Sequence, residues 1–471
     1  MEKLNNFFKL EENGTDIKTE VIAGITTFFT MAYIIFVNPD ILSQTGMDFH
    51  SVMIATCLAA AVGSILTGIM SNYPFAQAPG MGLNAFFTFS VVFGLGYTWQ
   101  QALAAVFISG IIFIIITLSG VRQAVVESIP LFLKNAISAG IGLFIAFVGF
   151  NNAGIIHVNQ GPIIDIINEA EVLDKAAMIE AVNNAGSQVL EFGDFASPAI
   201  LLAVIGLIIT SILMVRKVKG ALFLGIIITT IIGIPMGVTN VNVGFSLSEI
   251  TLKPTFMKMD FKGLLSTGNG VFASLISVIT VILSFFIVDM FDTMGTLIGT
   301  ANKAGFLDEE GNLPRGNEAM LADAIATCVG AVLGTSTVTT FVESSAGVSE
   351  GGRTGLTAVV VGILFLISIF LAPIAGIIPS AATAPALIIV GVLMMSSIKN
   401  INFDDIEEAL PAFVTMVLMP YSYSIANGIA AGFIFYSLVK IVKGKAKEVH
   451  PIMYVFVVLF ILRFVLLAKF M

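Results

Sequence analysis

What this chain of 471 residues lacks is charge: Asp, Glu, Lys and Arg make up only 11% of it, where a soluble protein carries about a quarter. It is also poor in cysteine (two), histidine (three) and tryptophan (one). Each shortage excludes something. Cys57 and Cys328 lie in separate apolar stretches, so neither a disulfide framework nor a metal site is expected. His50, His157 and His450 are too scattered to form a metal constellation. The net charge of −9 sits mostly in loops and gives no footing for nucleic acid. Residues 1–19 are polar, without the short apolar core or cleavage site of a signal peptide.

What is present is apolar: 57% hydrophobic residues, with 44 Gly and 39 Phe. Uncharged runs recur at the length of about 20 residues that a bilayer crossing needs. Spans are expected near 20–37, 51–70, 82–96, 99–119, 131–150, 197–215, 220–238, 270–300, 317–334, 343–350 with 353–373, 384–398, 409–424 and 425–442. With 343–350 counted as a half-helix, fourteen membrane elements precede Lys443. The segment 451–468 reads either as one more span or as an interfacial helix. The class is an all-α polytopic membrane protein.

Lys and Arg in short loops set the expected orientation. Arg216, Lys217 and Lys219 follow the sixth span, and Lys440, Lys443, Lys445 and Lys447 follow the fourteenth. Even-numbered exits are then cytoplasmic, as is the N-terminus. The loop 151–195 carries seven acids and one Lys, which fits the outside, and Ile163 to Val182 reads as surface helix.

An internal echo links the halves. Val62-Gly63-Ser64-Ile65-Leu66 resembles Val329-Gly330-Ala331-Val332-Leu333, and a helix-breaking stretch follows each, Tyr73 to Gly82 and Thr335 to Phe341. Paired interruptions point to a transporter built from repeats with its site at the midplane. Seven elements per half make the second copy inverted. The expected division is 1–19 as a cytoplasmic segment, 20–238 as the first repeat, 239–269 as a connection, 270–443 as the second repeat and 444–471 as a tail.

Irregular backbone at membrane depth survives only where protein or a water-filled cavity satisfies it. Phe75–Ala78 and Thr335–Phe341 read as extended, with helix resuming near Gly80 and over Glu343–Gly351. Two half-helix N-termini then face the middle of the membrane. Asp289 and Asp292 are three residues apart, on one helix face, and intramembrane acids are functional candidates by default. The structural alternatives are that Asp289 caps or bonds a neighbouring helix, that Asp292 makes a structural bond to backbone, that Glu343 serves its helix dipole, and that Asn84 is interhelical glue. Gly80 and Gly82 permit close backbone approach, and Phe86, Phe87 and Phe341 offer aromatic faces. Carboxylates, an amide and rings suit a small planar solute with N–H donors. A carboxylate that takes a proton also couples transport to the proton gradient. From the residues alone, this is a proton-coupled transporter of a small polar or heteroaromatic solute.

Several stretches carry a family resemblance: Thr19 to Pro39, Gly80-Met81-Gly82-Leu83-Asn84-Ala85-Phe86-Phe87, Val288-Asp289-Met290-Phe291-Asp292-Thr293, Thr340-Phe341-Val342-Glu343-Ser344-Ser345-Ala346-Gly347, and Met419 to Gly428. In order and over nearly the whole chain, they resemble the AzgA-like hypoxanthine, adenine and guanine permeases of the nucleobase:cation symporter-2 (xanthine/uracil permease) family. The resemblance implies fourteen segments in two inverted seven-segment repeats, with segments 1–4 and 8–11 as core and 5–7 and 12–14 as gate. It implies uptake by an elevator-like movement in the cell membrane, usually as a homodimer, with a proton and no further cofactor. Asn84, Asp289 and Glu343 would contact the purine, with Phe341 and Ser344 beside Glu343 in the binding set. Asp292, Gly80 and Gly82 would support it. Relatives for uracil and xanthine carry Glu where this chain has Asp289.

Rival readings are a uracil, xanthine or anion transporter on the same fold, and an intramembrane aspartyl protease. The protease needs a Gly-x-Gly-Asp element near its second acid, and none follows here. A passive channel fits poorly, because acids and breaks gather at one depth.

Overall fold

The computed structural model describes residues 2–119, 128–158, 190–241, 250–265, 271–308 and 313–470. The surface helix expected over 163–182 lies outside these residues. Among the described residues, nine helices are long and apolar enough to cross a membrane, and shorter apolar helices complete the set.

The first span, expected as one helix, is two: α1 (Ile17–Met31) and α2 (Ile34–Ser43), broken at Ala32-Tyr33. Asp16 caps α1 by accepting the Thr19 N–H at 2.8 Å. After α3 (Phe49–Ser71) the chain turns at Asn72, in the left-handed region at φ 52°. It then runs as a short strand, β1 (Gln77–Pro79), before helix resumes in α4 (Met81–Ala85) and the wider turns of Phe86–Gly94. The first half closes with α5 (Trp99–Ser119), α6 (Leu131–Asn152), α7 (Pro198–Val215) and α8 (Ala221–Gly233).

The second half repeats the order. It runs α9 (Val271–Ala304), α10 (Gly316–Leu333), β2 (Val338–Thr340), the half-helix α11 (Ser344–Ser349), α12 (Gly355–Ser368), α13 (Ser380–Met394), α14 (Ile406–Tyr421) and α15 (Ile425–Val442). The tail forms a further helix, α16 (Pro451–Phe470), of 20 residues. At 1.5 Å per residue that is about 30 Å, the thickness of the hydrocarbon layer. It packs along α9 and α15, with Phe433 against Phe456 and Phe460. The tail therefore stands beside the membrane helices as a fifteenth element.

Packing sorts these elements into two interleaved bundles, each drawing on both halves. In the core, α3 lies against α10 and α12, α5 against α9 and α10, and α1 against α12. In the gate, α6 lies against α13 and α14, α7 against α8 and α13, and α14 against α15. The core is pinned by a buried carboxylate at its edge. Glu20 of α1 accepts from the backbone N–H groups of Arg353 (2.8 Å), Thr354 (3.2 Å) and Thr357 (3.1 Å) and from the Thr357 hydroxyl (2.6 Å). It thus caps α12 from outside that helix.

Candidate functional site

The two breaks meet. β1 and β2 pair antiparallel, with Gln77 opposite Thr340, Ala78 opposite Thr339 and Pro79 opposite Val338. The flanking bonds Gly80 N–H to Thr337 O and Phe341 N–H to Ala76 O, both 3.0 Å, extend the pairing at each end. The backbone groups left over are taken up by the preceding helices. Ser64 of α3 both accepts from Gln77 N–H (2.9 Å) and donates to Gln77 O (3.1 Å). Thr327 of α10 treats Val338 in the same way, at 3.2 and 2.9 Å. Two extended stretches persist at membrane depth because these edge groups find partners in the protein.

The sequence echo has a matching physical cause. A Cβ on Gly63 would come 2.8 Å from Gln77 Oε1, and one on Gly330 would come 3.1 Å from Val338 Cγ2. Each glycine lets the strand fold back against the helix it has just left.

Both half-helices start beside this small sheet. α4 begins at Gly80, whose missing Cβ would lie 2.3 Å from Thr339 Cγ2. Gly82, one residue into α4, approaches α6 so closely that a Cβ would meet Ile141 Cγ2 at 2.7 Å. The two glycines therefore set the fit of α4 to the second break and to the gate. α11 begins at Glu343, whose side chain makes no capping bond to the helix. Its Oε1 instead accepts the Tyr33 hydroxyl at 2.9 Å, from the break between α1 and α2. Glu343 makes no side-chain cap bond to α11, in contrast to Glu20, whose oxygens are fully engaged as a cap.

A cavity of about 80 Å³ lies where these parts converge. That is room for several waters at roughly 10–15 Å³ each. Tyr33, Gly80, Gly82, Asp292, Phe341 and Glu343 line it from the core, and Val390 and Met394 of α13 line it from the gate. Of the residues singled out from sequence, Gly80, Gly82, Asp292, Phe341 and Glu343 are on this wall. Asp289 lies behind it, 1% exposed, with Oδ2 accepting the Thr327 hydroxyl at 3.3 Å. Its Oδ1 has no hydrogen-bond partner among the described residues. Asn84 is fully buried and donates to Asn38 Oδ1 at 3.0 Å, while its own carbonyl oxygen has no such partner. The Ser344 hydroxyl is engaged with backbone, accepting the Ala76 N–H at 3.0 Å.

Sequence reading missed three residues of the site. Asp323 of α10 is fully buried, accepts the Thr293 hydroxyl at 2.9 Å on Oδ1, and has an Oδ2 without a hydrogen-bond partner among the described residues. It stands in the span expected over 317–334, so an acid inside an apolar run was the signal that would have found it. Asn38 orients Asn84 while donating to the hydroxyls of Thr56 (2.7 Å) and Thr335 (2.9 Å). Tyr33 gave no signal while the first span was read as unbroken.

The cavity opens on one side. Residues 81–91 of the first half-helix are buried throughout, whereas Val342 is 52% exposed and Ser349, Gly295 and Gly299 are exposed. Lys219 pairs with Glu350 just beyond α11, so the open side is the one bearing Arg216, Lys217 and Lys219.

These features have counterparts in known proteins. The Permease family (Xan_ur_permease) matches residues 18–173 and 166–431. The chain is 43% identical over 462 residues to the adenine permease AdeP of Escherichia coli, covering 98% of this chain and 96% of that one. It is 44% identical over 475 residues to the guanine/hypoxanthine permease PbuG of Bacillus subtilis, covering 98% and 100%. Among solved structures, the fold is shared with the transmembrane domain of the cyanobacterial bicarbonate transporter BicA, at TM-score 0.59 and 16% identity, over 87% of this chain and 97% of that one. SLC26A9 shares it at TM-score 0.59 and 13% identity, over 91% and 66%. The chain belongs to the xanthine/uracil permease family: it is a multi-pass transporter of the cell membrane and not an enzyme.

Proposed function

We propose that this permease takes up purine nucleobases (hypoxanthine, guanine and adenine) by proton symport, with the core carrying the site past the gate in an elevator-like movement. Glu343 carries the reading. It is a carboxylate at a half-helix start, unspent on capping, held by Tyr33 and facing a cavity that also presents Asp292 and Phe341. Such a carboxylate accepts strongly from a purine's ring or exocyclic N–H, and Phe341 offers a ring face for stacking. That AdeP is an adenine permease and PbuG a guanine/hypoxanthine permease supports this chemistry.

Magnitudes fit. A purine has about ten heavy atoms, and the best tiny ligands gain up to about 1.5 kcal/mol per atom. Micromolar binding asks for about 8 kcal/mol. An inorganic anion would meet Asp292 and Glu343 head-on and be repelled, and a ribose would roughly double the bulk to be fitted between the half-helices. Behind the wall, Asp289 and Asp323 each have an oxygen without a hydrogen-bond partner among the described residues, a place for a proton that supports coupling. A homodimer is the assembly that the family resemblance implies, and the Lys and Arg of the short loops favour a cytoplasmic N-terminus.

The test is uptake into cells lacking their own purine permeases. Unlabelled hypoxanthine, guanine and adenine should compete with labelled purine, and inosine, uracil and sulfate at the same concentration should not. Uptake should rise with outside acidity and collapse with an uncoupler. Uncoupler-resistant uptake would remove the proton from the account, and inhibition by uracil alone would move the substrate to a pyrimidine.

A further inference from the structure

At one end of the seam between core and gate, a carboxylate bridges the two. Asp40, near the end of α2 in the core, accepts the Ser380 hydroxyl on Oδ1 at 2.9 Å and the Thr383 hydroxyl on Oδ2 at 2.7 Å. Both hydroxyls belong to the first turn of α13 in the gate. About two and three turns beyond Thr383 on the same helix, Val390 and Met394 form the gate wall of the cavity. One helix of the gate is therefore tied to the core at its start and parted from it toward its end. The tied end has other closures around it. Ile425 N–H of α15 donates to Ser90 Oγ of the first half-helix at 3.1 Å. The Tyr423 ring packs edge-on against Phe89 of the core (5.5 Å) and against Phe144 and Phe147 of α6 (5.6 and 5.8 Å). Beside the tie, a cleft of about 360 Å³, lined by Asp40, Ser43, Gln44, Asn152 and Ser380, brings solvent up to the carboxylate from the closed side.

We infer that Asp40 is a latch for transport: its paired bonds to Ser380 and Thr383 hold the permease in the state whose cavity opens beside Arg216, Lys217 and Lys219, and they break each time the site turns to the opposite side. The inference rests on the proposed movement of core against gate. Asp suits the task because an ionised carboxylate is acceptor-only and takes one hydroxyl on each oxygen. Bonds to it are stronger than neutral ones yet remain reversible. Asp40→Asn keeps one acceptor and substitutes a donor, so it weakens the latch; Asp40→Ala abolishes it.

The experiment is side-specific labelling of a Val342→Cys reporter with a membrane-impermeant maleimide, in oriented vesicles of the full-length protein. The native Cys57 and Cys328 are both buried and stay silent. With the latch intact, Val342→Cys labels from the side to which the cavity opens. Asp40→Ala should slow that labelling about tenfold and raise labelling from the opposite side, because losing two charge-assisted bonds shifts the two-state population. Ser380→Ala with Thr383→Val should do the same from the gate side, and adding Asp40→Ala to it should change nothing more. The shift of labelling from one side to the other is what a merely structural carboxylate would not produce, and the non-additivity assigns it to the bonds between Asp40 and α13. Saturable hypoxanthine binding, measured on the same variants in detergent, keeps the substrate assignment separate: its loss in the unmutated protein would overturn that assignment and leave the latch standing. Labelling from both sides that stays within about twofold of the parent in Asp40→Ala, and in the gate-side variant, would overturn the latch.

Discussion

The two half-helices start from the same strand pair and do different work. The first, from Gly80, is buried along residues 81–91, carries no charge, and makes its contribution by closeness: Gly80 against Thr339, Gly82 against Ile141, and Asn84 held by Asn38. The second, from Glu343, is shorter, partly exposed, and brings a carboxylate to the cavity wall. An inverted repeat thus supplies one backbone frame twice, and the side chains divide shape from charge between the copies. The difference in exposure also shows how a symmetric frame gives a one-sided opening, since only the second half-helix leads out of the cavity.

If charge resides in the second half, Glu343→Gln should have the largest effect. Bonds to charged groups are worth about 1.5–3 kcal/mol, so purine affinity should fall about ten- to a hundredfold, read by equilibrium binding to purified protein. If shape resides in the first half, Asn38→Ala should act on fold and site together. It removes the partner of Asn84 and the donor to the Thr335 hydroxyl, and takes one bond from Thr56, which keeps its bond to Val52 O; each buried bond lost is worth about 1 kcal/mol or more. A lower thermal midpoint in detergent should therefore accompany weaker binding, whereas Glu343→Gln should weaken binding with the midpoint held.

Tyr33→Phe sharpens the contrast at smaller scale. It frees one Glu343 oxygen, which cavity water can then serve, so about 0.5–1.5 kcal/mol of affinity should go, a two- to tenfold change. The smallest test compares the paired glycines. Gly63→Ala meets Gln77 Oε1 at 2.8 Å and Ala326 Cβ at 3.0 Å, whereas the nearest atoms to a Cβ on Gly330 are at 3.1 Å. The first should cost about 1–2 kcal/mol and the second less than about 1 kcal/mol, compared by thermal unfolding in detergent.

Much of this frame was legible beforehand because membrane burial leaves coarse marks: apolar runs, acids inside them, and Pro- or Thr-rich interruptions. The strand expected at Phe75–Ala78 is observed at Gln77–Pro79, and the half-helix expected from Glu343 begins one residue later. The break at Ala32-Tyr33 was not legible, since Tyr is compatible with an unbroken span and what decides its place is a partner 310 residues away. The same holds for which acid reaches the cavity. Asp289 and Asp292 share a helix face, yet only the packing of α9 against β2 and α10 puts Asp292 on the wall and Asp289 behind it. Asp40 was hidden for a related reason: near a span end an acid reads as an ordinary boundary residue until its partners on α13 are seen.

The central claim, that the second half-helix reads the N–H edge of a purine with Glu343, is tested most directly by calorimetric titration of hypoxanthine into purified wild-type and Glu343→Gln protein. The account predicts saturable micromolar binding to the wild type, weaker by about ten- to a hundredfold in the variant at an unchanged thermal midpoint. Equal affinity in the two proteins would contradict it.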